Sequence, residues 1–220
     1  MSKNKKEKKE MPDALRYLLF TTVVIVVISV IGVLAYNVIG SQISGTKEKE
    51  KVDVNQVEIK GYGIHLDDND TTLYRNEYKA LEKNLLGEEI DYNEYAKSVA
   101  KLFIIDLYTI KNKSNKYDVG GVDFVYSKAL ENYTTNVTDT IYKYVEDNSN
   151  GERVQQLPAV KAIMVDDISK GKYKVDSEEK EYESYTVKLT WEYSINLGYD
   201  TTGEVIIINK DNKLYVVEKN

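Results

Sequence analysis

Cysteine is absent from this 220-residue chain, so no disulfide framework and no thiolate metal site can form. There is no cysteine for lipoprotein attachment either. One histidine and two prolines complete the short side of the inventory. With His65 alone, and no Ser or Asp set beside it in a nucleophile–base pattern, the usual hydrolytic and transfer chemistries have no visible machinery. Metal catalysis would have to rely on oxygen ligands, and these show no recognised spacing. Phenylalanine is scarce at three residues, whereas tyrosine reaches nineteen. Tyrosine therefore replaces phenylalanine in a small wet core; an exposed ligand-binding or cell-wall-facing surface is the other use of such a side chain.

Charge is unevenly spread. The net charge is −6, yet residues 1–16 hold six basic side chains against three acidic ones, which leaves the remainder near −9. A domain so acidic offers no footprint for nucleic acid. Residues 17–39 contain no charged side chain, and fifteen of these 23 are Leu, Ile, Val or Phe. A helix of that length matches the thickness of a bilayer's hydrocarbon core, and the run exceeds a normal signal-peptide core. The expectation is an uncleaved transmembrane helix over 17–39. The basic arm of residues 1–16 stays cytoplasmic. A polar linker occupies 40–51, and a single domain over 52–220 lies outside the cytoplasm.

The outer domain reads as α+β, with helices first and strands after. "DDND" at Asp67–Asp70 fails as a calcium loop, because an EF-hand begun there needs Gly at 72 and Glu at 78 where the chain has Thr72 and Tyr78. Asp70 or Thr71 instead caps a helix to about Leu86, with Tyr74, Tyr78, Leu81 and Leu85 as its apolar stripe. Asp91 and Glu94 make a capping-box pattern for a second helix. One face of that helix gathers Tyr92, Tyr95, Ala96, Val99, Leu102, Phe103 and Ile110. A third helical stretch is expected from about Asp118 through Val145, bending near Tyr133. Period-two alternation then predicts strands at 159–168, 185–195, 203–209 and 213–219, the last two joined by a hairpin at "KDNK".

Asp106 is the one residue that does not fit this pattern, a carboxylate on the apolar face of the second helix. Such a group is tolerated when it accepts several hydrogen bonds. Val119, Gly120 and Gly121 are the expected donors, since glycines let backbone amides approach closely. The catalytic reading, a carboxyl with a raised pKa that moves protons, is the alternative. Gly120 and Gly121 lack the surroundings of a nucleotide loop, so no cofactor is expected.

"LFIIDLYTI" (102–110) and "LTWEYSI…TGEVIIINKDNKLYVVE" (189–218) resemble the NTF2-like (cystatin-related) fold, in which about three helices pack on a curled antiparallel sheet of about four strands. The whole layout is similar to VirB8/TcpC-type conjugation-channel components, although the TcpC type carries a tandem pair of such domains. The resemblance implies a non-catalytic scaffold that binds other membrane or envelope proteins and self-associates. It transfers no functional residue. Other expectations are an NTF2-like enzyme or small-ligand binder using a cavity near Asp106, and an envelope protein of an unrelated pathway.

Overall fold

The computed structural model describes residues 58–175 and 178–220. The first helix, α1, covers Thr72–Leu85. Thr71 starts it: its backbone is extended and its hydroxyl accepts from the Tyr74 amide at 3.2 Å. Tyr74, Tyr78, Leu81 and Leu85 are buried along one face, as their spacing predicts. The central helix, α2, covers Tyr92–Tyr108. Asp91 Oδ1 accepts from the amides of Asn93 and Glu94 at 2.8 and 3.2 Å. The reciprocal half of the capping box comes from elsewhere. Asn84, near the end of α1, accepts from the Asp91 amide at 3.0 Å and donates to its carbonyl at 2.8 Å. One carboxamide thus fixes the turn between the two helices.

Four antiparallel strands follow in a meander, β1 (Val160–Lys174), β2 (Glu181–Tyr193), β3 (Thr202–Lys210) and β4 (Lys213–Lys219), in the order 1-2-3-4. The first is longer than the predicted 159–168, and bulges between Val160 and Ala162 and between Val165 and Asp167 interrupt its pairing. Asp211 and Asn212 both have positive φ, 54° and 64°. This is the turn whose twist matches a two-residue hairpin. Tyr185, Val187, Leu189, Trp191 and Tyr193 are buried on the face that α2 covers. Ile195, expected on the same strand, lies beyond its end and is 43% exposed.

α2 is packed against all four strands. From Tyr95 onward it is buried nearly all round, with Leu102, Phe103 and Ile104 fully covered. Ile110 is buried too, but it belongs to a short 3-10 turn, Ile110–Asn112, not to the helix.

Two expectations are corrected. The first is the fold class with a transmembrane helix at its head. Among the described residues no helix is long and apolar enough to cross a membrane. The most apolar, α2, has only 17 residues and includes Glu94, Lys97, Lys101 and Asp106. Its hydrophobic surface is taken up by the sheet. The fold shown is α+β, three helices with four antiparallel strands. Residues 1–16, 17–39 and 40–51, where the arm, the span and the linker were placed, lie outside the described residues.

The second correction concerns the third helix. Only a 3-10 turn, Val122–Phe124, and a ten-residue helix, α3 (Leu130–Asp139), form there. Asp118 closes its own loop by accepting from the Ser114 amide at 2.7 Å and caps no helix. Gly121 takes φ +82°, which a continuing helix cannot contain. Val125 then bridges to Val216 and the Tyr126 amide donates to the Val216 carbonyl, so this backbone is used on the edge of β4. Tyr133 lies within α3, where a bend was expected.

Candidate functional site

Asp106 lies in the last turn of α2, half-buried, and both its carboxylate oxygens are occupied. Oδ2 accepts from the Gly121 amide at 2.6 Å. Oδ1 meets the Lys113 ammonium at 2.5 Å. Of the three residues expected as donors, only Gly121 bonds the carboxylate. Val119 is buried, and the Gly120 amide turns to the Tyr142 hydroxyl at 3.4 Å. Gly120 serves by lacking a side chain. A Cβ there would stand 2.2 Å from the Asp106 carbonyl oxygen, closer than any real contact.

Tyrosines complete the joint. The Tyr133 hydroxyl donates to the Gly120 carbonyl at 2.6 Å, and the Tyr142 hydroxyl donates to the Leu107 carbonyl at 2.7 Å. Burial first, then nearby carboxylates, hold the Tyr142 phenol well above its ordinary pKa, so it stays a neutral donor.

Lys113 had no signal in the sequence, because it lies seven residues after Asp106 and beyond the end of α2. Burial opposes its charge. The carboxylates of Asp106, Asp118 and Asp70 outweigh that and leave its pKa above the usual lysine value.

A cavity of about 290 Å³ opens beside this pair. One wall is the 67–71 loop with Tyr74, and the other is Ile105, Asp106, Thr109, Asn112, Lys113 and Asp118. Arginines hold both walls through backbone carbonyls. Arg75 donates to the carbonyls of Asp67, Asp68 and Asp70. Arg153 donates to those of Lys111, Lys113 and Glu146. The Asn112 carboxamide reaches across to the Asn69 carbonyl. Asp70 lies half-buried on the first wall, its Oδ2 accepting from the Asp67 amide at 2.7 Å. Burial raises its pKa to about 6; Asp106 and Asp67 add to the rise, while the Asp67 amide and Arg75 oppose it. The reading of "DDND" as a cap alone missed this, since the cavity exists only once α2 has docked.

His65 lies away from the cavity. Its Nδ1 stands 3.1 Å from Asp123 Oδ2, and its backbone amide donates to the same oxygen. Together they pin the 58–65 turn to the 3-10 turn at Val122–Phe124. Among the described residues no three histidine or carboxylate side chains are grouped so as to hold a metal ion.

A second polar cluster ties the hairpin between β1 and β2 to the rest. Glu178 accepts from the Tyr126 hydroxyl at 2.7 Å and from that of Tyr182, and pairs with Lys128 at 2.6 Å. These partners depress its pKa to about 2.

Comparison with known proteins finds no matching family, no matching curated protein and no matching solved structure.

Proposed function

We propose that this chain is a membrane-associated, extracytoplasmic domain that works by binding other envelope proteins, as a non-catalytic assembly subunit of the kind a conjugation or secretion channel uses. The observation that carries the proposal is how the space beneath the sheet is filled. Tyr95, Leu102, Phe103, Tyr108 and Trp191 occupy it, none more than 1% exposed. Enzymes and ligand carriers of NTF2-like architecture need that space open. Asp106, the carboxylate best placed to act as an acid, has both oxygens engaged by Gly121 and Lys113. Membrane association is supported by the uncharged, apolar run of residues 17–39 next to a basic arm.

A photo-crosslinking amino acid tests this when placed, one site at a time, at the exposed positions Met164, Tyr144 and Leu197 of the full chain in intact cells. Discrete adducts with envelope proteins, from at least one position and reached by a probe that does not enter the cytoplasm, are expected. Adducts with cytoplasmic proteins alone would refute the placement. No adduct from any position would refute the assembly role.

A further inference from the structure

We propose that the cavity between the 67–71 loop and the C-terminal turn of α2 binds a small aliphatic polyamine, with carboxylates on both walls taking its ammonium groups and the Tyr74 hydroxyl orienting it. The site stands apart from the assembly reading above and neither requires nor excludes it.

Two independent observations meet here. The first is charge. Asp67, Asp68, Asp70, Asp106 and Asp118 line one space, and Lys113 is the only cation among them. Asp106 and Lys113 neutralise each other. The carboxylates of Asp67 and Asp68 hydrogen-bond no other described side chain, and Asp70 and Asp118 each use a single oxygen, on the amides of Asp67 and Ser114. Acceptors therefore remain on both walls.

The second is Tyr74. Its side chain lines the cavity and the residue is 96% buried, at 4% exposure, yet its hydroxyl makes no hydrogen bond among the described residues. No fully enclosed side-chain polar atom among the described residues lacks a hydrogen-bond partner, so this hydroxyl opens on the cavity itself. Burial, then Asp106, Asp70, Asp123 and Asp67, push its pKa above the ordinary tyrosine value, so a neutral O–H faces this acidic space. A phenol in that position can both accept from an ammonium N–H and donate to a carboxylate.

The geometry selects the class of ligand. The carboxylates are not grouped to share one metal ion. They are distributed over opposite walls of a space of about 290 Å³. That is near the lower end of small-molecule pockets, about 300–1,000 Å³. A flexible chain with two or more ammonium groups distributes its charge in the same way. Arg75, Arg153 and the Asn112–Asn69 bond fix the walls beforehand, which lowers the ordering cost of binding.

Asp70 gives the site a pH signature. The groups facing it are Asp67 on its own loop, Tyr74 and Arg75 on α1, Asp106 on α2 and Lys113 on the following loop. With its pKa raised to about 6, a bound cation favours the ionised form. Binding near pH 6 therefore releases a proton, and binding at pH 8 does not.

The ammonium could belong to a free polyamine or to a lysine chain of another protein; spermidine and a trilysine peptide are the two probes. Calorimetric titration of the purified full chain should show saturable one-to-one binding of at least one, and the better binder names the source. Loss of roughly tenfold is expected for Asp68→Asn and for Asp70→Asn, as for one charge-assisted contact. Tyr74→Phe, which keeps the ring and its packing, should lose severalfold. Heats in two buffers of different ionisation enthalpy should report proton release at pH 6 alone. Magnesium at equal ionic strength is the control for general screening. Absence of saturable binding by both probes, or magnesium displacing them on equal terms, would overturn the site. So would unchanged affinity in both Tyr74→Phe and Asp68→Asn, variants mild enough to keep the fold.

Discussion

Removing the Asp106 carboxylate should cost this domain a large part of its stability, and part of that cost should be recoverable at Lys113. Asp106→Ala leaves the Gly121 amide, held 2.6 Å from Oδ2, without an acceptor. An unsatisfied buried donor costs about 1–3 kcal/mol. It also strands Lys113, whose side chain is only 13% exposed and whose ammonium lies 2.5 Å from Oδ1. Breaking a buried pair from one side costs about 3–5 kcal/mol, and this pair is partly wet, so its share falls at or below the lower bound. Together about 3–5 kcal/mol is expected. Lys113→Met removes the stranded charge but keeps the stem, so Asp106→Ala/Lys113→Met should regain about 1–2 kcal/mol over Asp106→Ala. Asp106→Asn, which retains an acceptor for Gly121, should lie between wild type and Asp106→Ala. Chemical denaturation of the four variants in a double-mutant cycle measures the coupling. Lys113 also sets a pH dependence. Its folded pKa is raised, so the stability it contributes is complete below the unfolded value near 10.5 and is lost as pH rises through the folded one. The wild type should therefore lose more stability than Asp106→Ala as pH rises above about 10.5. A fully stable Asp106→Ala, or a double variant no better than the single, would refute the account of the joint.

Gly120→Ala should destabilise at least as much as a typical overpacking change, about 1–3 kcal/mol, because its methyl would meet the Asp106 backbone at 2.2 Å and a helix backbone cannot swing aside; a melting temperature within a degree or two of wild type would argue against the close approach. Glu178→Gln should remove an acid-sensitive component of stability. The depressed pKa makes that component present above the unfolded value near 4.5 and lost as pH falls through about 2, so wild-type and variant denaturation curves should converge between those values. Parallel curves across that range would show that the cluster does not hold the hairpin.

Local signals in the chain and the structure agree where one segment decides its own conformation. Thr71 and Asp91 cap helices because each needs only its own oxygen and the amides two or three residues on. The stripe of α1, the buried face of β2 and the 211–212 turn are of the same kind. Agreement fails where a distant segment competes for the backbone. Residues 118–129 have helical spacing, yet the edge of β4 takes the Tyr126 amide and α2 takes that of Gly121. The second half of the Asp91 cap comes from Asn84, on another helix. At the candidate site, Asp106 and Gly121 could be paired on paper, because a carboxylate on an apolar face demands donors and a double glycine can supply them. Lys113, Tyr74 and the 67–70 carboxylates could not, since the cavity that relates them is formed by two loops meeting across α2.

The arginine clamps affect what can change in this protein over evolutionary time. Arg75 and Arg153 grip their loops through main-chain oxygens, six in all, and among the described residues their guanidinium groups hydrogen-bond no side chain. Backbone carbonyls are the same whatever residue carries them. The walls of the cavity can therefore exchange one side chain for another without losing their shape, provided the two guanidinium groups remain. The chemistry offered by the cavity is in this way uncoupled from the scaffold that presents it.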